Sequence, residues 1–318
     1  MIKNLLGLLL AVTLSAQAAE SLPVRLVIGY VAGSNSDKIA RVLQRELTMR
    51  LNRTVTIDYR PGAGGDVAVA HVANNTQAET VLLLTNINVP WWNITKNPNY
   101  NWQNLVPVAY LGYTPMVLVC NPSFPYRDFS DWKSIAKDRA IIFGSSGIGA
   151  GTHLGGEVLM YTTGKTMLHV PYKGSGQMMP DLLAGRVETA YSFPQETQEL
   201  VKKGQLIPLV VAADRRVPAF PNIPTLNELG LKDSWLKVWQ ILVANPGSDP
   251  EVIKQIQQAL QKLYLNSEQR MAFAQSTDLE LDPNHVVLRQ NFLAEQIQSY
   301  QILSKKIPTF ANQFSLLN

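Results

Sequence analysis

The stretch that most constrains this chain is Ile141 to Tyr191, which carries two successive glycine-punctuated loops, each feeding a helix. Ala140–Phe143 is a short apolar run of strand type, whereas Gly144–Gly151 is too glycine-rich for either regular element. From Thr152 the pattern turns helical, with Leu154, Val158 and Tyr161 on one face and Gly164 placed to stop it. A strand end therefore delivers an amide-rich loop onto a helix N-terminus. Unsatisfied N–H groups and the helix dipole point the same way there, an arrangement that suits an anion.

The unit recurs along the chain. Arg25–Gly29 (R-L-V-I-G) reads as a buried strand and Tyr30–Asp37 as a small-residue loop; Ile39, Leu43 and Leu47 then mark one helix face. Val55–Tyr59 is a second strand, and Arg60–Gly65 (R-P-G-A-G-G) opens a helix through Ala68, Ala70 and Val72. Val81–Thr85 is a third strand, followed by N-I-N-V-P-W-W over 86–92. Loops after strand C-termini line the ligand crevice of doubly wound folds. Trp91 and Trp92 thus either face a site or pack between lobes. Met116–Cys120 is a further strand, and Asn121–Pro125 is expected to cross to a second lobe. Val187–Phe193 and Leu206–Ala212 read as strands there, and Trp239–Val243 as the return. Pro180 is placed near the first turn of its helix. Pro250 opens a helix over Glu251–Leu265, and a last amphipathic helix spans Val286–Lys305.

Met1–Lys3, an apolar run over Leu5–Leu14 and Ser15–Ala18 form a basic n-region, an h-region and an A-x-A site. They predict a secretory signal peptide over 1–18, cleaved after Ala18, and a periplasmic destination. No later segment approaches about 18 uninterrupted apolar residues, so no membrane span is expected. The remaining residues exceed one comfortable core and predict two lobes, 19–120 plus 238–318 and 121–237. Apolar residues make up 46% and charged residues 16%, a globular balance. The net charge of +4 is scattered rather than patched, which argues against a nucleic-acid partner. The single cysteine, Cys120, excludes an internal disulfide and reads as a small core residue.

Common catalytic and phosphate motifs fail in detail. Position 152 is Thr where a dinucleotide loop needs its third glycine, and 159 is Leu where a P-loop before Gly164-Lys165-Thr166 needs glycine. No G-x-S-x-G surrounds Ser145 or Ser146. His71, His153, His169 and His285 make no metal-ligand spacing, so neither a metal nor a cofactor is expected.

Read together, Ser145, Gly147, Gly149, His153, Leu154, His169, Val170–Gly174 and Asp181–Gly185 resemble the Bug family, the periplasmic solute-binding receptors of tripartite tricarboxylate transporters. R-P-G-A-G-G over 60–65 and F-P-N-I-P-T-L over 220–226 extend the likeness, in family order, from about Arg25 to the C-terminus. In the first loop Gly33, Asp37 and Arg41 match, while Ser34 replaces a second glycine. The resemblance implies an α/β fold of the type II-like two-lobed periplasmic binding protein class, with doubly wound sheets, crossing hinge strands and a ligand cleft between lobes.

It also implies a non-enzymatic binding module, expected to be a monomer, that closes on a small organic acid and delivers it to a membrane transporter. A sensor kinase as client is the alternative, and a hydrolase a more distant one. Residues expected at the ligand are Val31, Ala32, Gly33, Ser34, Asn35 and Asp37 in the first loop, and Asn86, Asn88 and Trp91 after the third strand. From the second lobe come Ser145, Ser146, Gly147, Gly149, Thr152, His153 and Phe193. His153 either meets the ligand or bonds a loop carbonyl. Neither glycine loop contains Arg or Lys, so backbone amides and hydroxyls from two facing helix N-termini are expected to hold the carboxylate.

Overall fold

The computed structural model describes residues 22–86, 89–90, 99–136, 139–231, 236–282 and 286–307. The expected leader 1–18, Asn88, Trp91, Trp92 and His285 lie outside these residues. In chain order the described strands are β1 (Val24–Ile28), β2 (Val55–Tyr59), β3 (Val81–Thr85), β4 (Val106–Thr114), β5 (Met116–Cys120), β6 (Ile141–Ser145), β7 (Met167–Pro171), β8 (Thr189–Ser192), β9 (Ile207–Ala212) and β10 (Val238–Ala244). The helices are α1 (Asn35–Leu51), α2 (Asp66–Ala73), α3 (Phe129–Ile135), α4 (Gly151–Thr163), α5 (Ser175–Leu183), α6 (Pro194–Lys202), α7 (Pro250–Leu265), α8 (Ser267–Thr277) and α9 (Phe292–Lys306).

Two sheets result, ordered β2-β1-β3-β10-β4 and β7-β6-β8-β5-β9. Their construction is the same. In the first, β1 runs parallel to β2 and β3, and in the second, β6 runs parallel to β7 and β8. Each then receives one antiparallel strand arriving from the other sheet, β10 in the first and β5 in the second. Both arriving strands are buried along their whole length, which is why their sequences, V-W-Q-I-L-V-A and M-V-L-V-C, are almost continuously apolar. This is the two-lobed periplasmic binding protein architecture. Pro107, Pro171 and Pro208 all fall in the outermost strands β4, β7 and β9, where a missing N–H need not interrupt a ladder.

Ile39, Leu43 and Leu47 of α1 are fully buried with Ile256, Leu260 and Leu263 of α7 against one face of the first sheet. The central core is shared by both lobes, since Val27 and Leu83 of the first sheet belong to the same cluster as Met116, Phe143, Tyr191 and Val238. Cys120 is fully buried, and burial pushes its thiol up to about 12.

Four expectations need correction. The first crossing is not at Asn121–Pro125: β5 already pairs with β8 and β9, so the chain changes sheets at Pro115, where the ladder of a nearly unbroken strand run is interrupted. Pro180 lies inside α5, where buried Met178 and Leu182 hold the helix to the sheet. Tyr161 is exposed, because α4 is buried on every side only over its first nine residues, Gly151–Leu159. The last helix starts at Phe292 instead of Val286: Val286 O accepts the Tyr110 amide and Val287 bridges Ala109, covering the open edge of β4. Strand β4 itself and helix α8 have no counterpart in the sequence reading.

A buried carboxylate anchors the second sheet. Glu188, 2% exposed, accepts both Arg139 guanidinium nitrogens (2.6 and 2.7 Å) and the Tyr126 hydroxyl (2.5 Å). Burial alone would raise its carboxyl, but Arg139, Tyr126 and the Ile142 amide outweigh it and hold it below the usual range. Its folded-state value is therefore depressed, so the pair's stabilisation is present above the unfolded carboxyl range and lost as pH falls through the folded one. Arg139→Ala removes the counter-charge of this carboxylate; with the guanidinium half-exposed and Tyr126 and the Ile142 amide still in place, the expected cost is about 1–2 kcal/mol in urea unfolding at pH 7. The difference from wild type should shrink in acid; an equal cost at pH 7 and pH 3 would contradict the charge pairing.

Candidate functional site

The loop after β1 is shaped by a reciprocal helix cap. Ser34 Oγ accepts the Asp37 amide (3.3 Å), and Asp37 Oδ2 accepts the Gly33 amide (2.8 Å). Asp37 also accepts the Tyr59 hydroxyl (2.7 Å) and Arg41 Nε (3.1 Å). Burial would raise this carboxyl, yet the Gly33 amide, Tyr59 and Arg41 hold it low. Its oxygens are engaged on the loop side, so Asp37 builds the turn and does not face the cleft. Ala32 and Gly33 are exposed, and Val31 packs towards Gly174. These four expected ligand residues do not line the small cavity between the lobes, whereas Ser34, Asn35 and Ser36 do.

The loop after β6 is closed on itself in the same way. Ser145 Oγ accepts the Gly147 amide (3.2 Å), Thr152 Oγ1 accepts the Ser146 amide (3.0 Å), and His153 Nδ1 accepts the Gly149 amide (3.1 Å). The Ala150 amide donates to Gly147 O (3.1 Å). Ser145, Gly149, Thr152 and His153 therefore hold the loop's form. His153 takes an amide where a carbonyl was the alternative expected. With Nδ1 accepting, a neutral ring carries its proton on Nε2, which faces Glu157 Oε1 at 3.5 Å. His153 stacks on His169 (4.2 Å between ring centres), and burial, then His153, push His169 down to about 3. Ser145 Oγ lies 2.6 Å from His169 Nε2, the spacing of a nucleophile and its base. Ser145 is fully buried, however, and the same oxygen secures the Gly147 amide, so the pair acts as a loop brace.

Between the lobes lies a cavity lined by Tyr30, Ser34, Asn35, Ser36, Asn86, Ser146, Gly151, Ser175, Phe193, Val238 and Gln240. Its free space is only ≈ 20 Å³, room for about one water. Gly147 lines an adjoining cavity, between the Gly62–Gly64 turn and Tyr172. Asn35, Gly151 and Ser175 are the first residues of α1, α4 and α5, and Phe193 is the N-cap of α6. Four helix N-termini thus meet at one point, where two were expected. No lysine or arginine lines it.

Sequence reasoning missed Tyr30, Ser36, Gly151, Ser175, Val238 and Gln240. Ser175 had a legible signal, since it follows Y-K-G at a helix start. Gln240 had only its polarity inside an apolar strand. Among the described residues no group of three His, Cys, Asp or Glu side chains could hold a metal ion.

The lobes touch through glycines. A Cβ on Gly151 would come within 2.8 Å of Val238 Cγ2, and one on Gly64 would run into Ile148 O of the opposite loop. Tyr30 donates to Gly64 O (2.8 Å), fixing that turn from within its own lobe. The R-P-G-A-G-G turn also packs beneath β1, with Gly65 against Gly29. Arg60 pairs with Asp58 (3.1 Å). Gly64→Ala should hold the lobes apart, both by this collision and by its φ of +60°. The expected outcome is a larger radius of gyration in solution scattering at saturating ligand; an unchanged radius would show that the contact does not limit closure.

Comparison with known proteins bears on this geometry. A family model described as the tripartite tricarboxylate transporter family receptor matches residues 39–307. A UPF0065 protein of Bordetella pertussis is 32% identical over 258 residues, covering 79% of each chain. The structure of the periplasmic binding protein BugD superimposes with a TM-score of 0.83 at 26% identity, over 91% of this chain and 98% of that one. The Rpa4515 protein of R. palustris, solved with adipate, gives 0.81 at 22% identity, over 91% and 97%.

Proposed function

The chain belongs to the tripartite tricarboxylate transporter receptor family, and we propose that it captures a small organic carboxylate between its lobes in the periplasm. In this reading Met1–Ala18 directs export, and the closed form presents its ligand to the membrane subunits of a tripartite transporter. The lobe carrying the first sheet and the lobe carrying the second turn about Pro115 and about the return that leads into Val238.

The observation that carries the proposal is the meeting of four helix N-termini on one cavity without a basic side chain. First-turn amides lack intrahelical acceptors, and their dipoles add at that point. Hydrogen bonds to a charged group are worth about 1.5–3 kcal/mol each, and a partly buried helix end adds up to about 2. A few such contacts reach the ~8 kcal/mol that micromolar binding requires. The ≈ 20 Å³ void is smaller than an organic acid, which fits a receptor whose lobes part and close again, the hinge motion of such receptors. The adipate held by the R. palustris neighbour supports a carboxylate ligand.

A bound acid at a hundredfold excess over Kd should add about 2.7 kcal/mol of stability. For a chain of this size that is a rise in Tm of about 5–10 °C. A thermal-shift screen of organic acids checks it, backed by mass spectrometry of material released on denaturation. A screen in which no acid moves Tm would overturn the reading. Recovery of a sensor ectodomain in place of transporter subunits, on co-purification with the liganded form, would change the client and leave the binding step standing.

A further inference from the structure

A groove of ≈ 540 Å³ lies outside the cleft and shares no lining residue with the cleft cavity. One wall stands on the side of the second sheet, with Val217, Pro218 and Ala219 from the loop after β9. The other stands on the side of the first sheet, with Met271 and Ala274 of α8 and Leu281 of the segment that follows it. That segment is tied to β4, because the Tyr113 and Glu280 amides donate to each other's carbonyls (3.1 and 2.9 Å). Two polar contacts join the walls: Arg215 to Glu280 Oε2 (2.5 Å), and the Tyr113 hydroxyl to Asp214 Oδ2 (3.3 Å).

The volume falls within the range of about 300–1,000 Å³ typical of small-molecule sites, which are mainly apolar with a few polar groups that fix orientation. Met271 offers its flexible thioether to water at 58% exposure. Four charged side chains line the groove, and three of them are neutralised. Arg215 and Glu280 pair with each other, and Asp278 accepts Lys38 Nζ (3.4 Å). Arg270 is the fourth. One of its nitrogens donates to Tyr264 O at the end of α7 (2.6 Å), and no carboxylate among the described residues meets it. A guanidinium carries five N–H donors and keeps its charge at any ordinary pH, so most of its bonding capacity remains for an incoming group.

We propose that this groove is a second binding site, for an amphiphilic organic acid whose hydrocarbon body covers the apolar walls and whose carboxylate meets the Arg270 guanidinium. The two features select together. Apolar area contributes about 25 cal/mol for each Å² a ligand covers, which favours a long body over a short one. The unpaired guanidinium favours an anion over a neutral molecule of the same shape, through charge-assisted and potentially forked hydrogen bonds. The site goes beyond the carboxylate reading of the cleft and does not depend on it, since the cleft cavity has no basic side chain in its lining.

The test is NMR of the purified chain carrying isotope-labelled methionine methyl groups, titrated with octanoate, octanamide and acetate. Octanoate should shift the Met271 methyl signal in a saturable way, that signal being identified by its loss in Met271→Leu. Octanamide keeps the tail without the charge and should bind about 5- to 20-fold more weakly. Acetate, a charge without a tail, should leave the signal in place. Arg270→Gln should bring octanoate down to the level of octanamide. Ala274→Trp, which fills the groove from a half-exposed position on α8, should abolish the response to both. A Met271 signal that octanoate never moves would overturn the proposal, as would equal binding of octanoate and octanamide to the wild-type chain. Octanoate taken up only in the cleft would leave Ala274→Trp fully responsive, and that result also sinks the groove site. Sedimentation with phosphatidylglycerol vesicles in place of any response to octanoate would assign the groove to a membrane surface and overturn it too.

Discussion

Backbone amides at the starts of α1, α4 and α5 must find acceptors, and the rest of the molecule is arranged around where they point. Each of these helices begins at the end of a parallel strand, so sheet order decides where the amides go. Strand β1 feeds α1, β6 feeds α4 and β7 feeds α5, and α6 follows β8. Because β1 is flanked by β2 and β3, and β6 by β7 and β8, these loops issue from the carboxyl ends of neighbouring strands. Their convergence on one small volume follows from topology. Side chains then decide how much of that volume accepts an anion.

Strand exchange supplies the complementary constraint. β5 and β10 are each wholly buried in the sheet opposite to the strand that precedes or follows the crossing, so neither lobe completes its hydrogen-bonding without a strand passed from the other. On the receptor reading proposed above, separation of the lobes is thereby confined to rotation about Pro115 and the return that leads into Val238. A core cluster that contains Val27 and Val238 together with Phe143 and Tyr191 keeps the pivot packed.

The fold was legible in the sequence because its signals are local. Apolar runs of five residues, glycine loops and helix periodicity repeat in order, and Ile39, Leu43 and Leu47 are buried as their spacing requires. Where reading failed, the cause was non-local. β4 carries Pro107 and Gly112 and looks broken, yet an edge position tolerates the proline, and Glu280 crowds the glycine from outside the sheet. The candidate site was legible as loops and not as atoms. Gly149, Thr152 and His153 occupy the right loop, but their hydrogen bonds turn inward, a choice that depends on where Ser145 and His169 stand relative to them. Glu196 lies on a helix far along the chain from Asn35, whose amide its carboxylate accepts (3.2 Å), and nothing in its neighbourhood of sequence announces that the two meet.

The inward turn of those bonds has a consequence for how fast a ligand is held. Since Ser145, Thr152 and His153 have already tied the second loop, and Ser34 and Asp37 the first, neither surface has to be ordered by its guest. Capture spends little conformational entropy on the loops. On the carboxylate reading proposed above, what remains slow is the collective swing of one lobe on the other, a motion of microseconds to milliseconds. Different acids would then meet the same finished walls at similar rates, and their ranking would be written in how long each one stays.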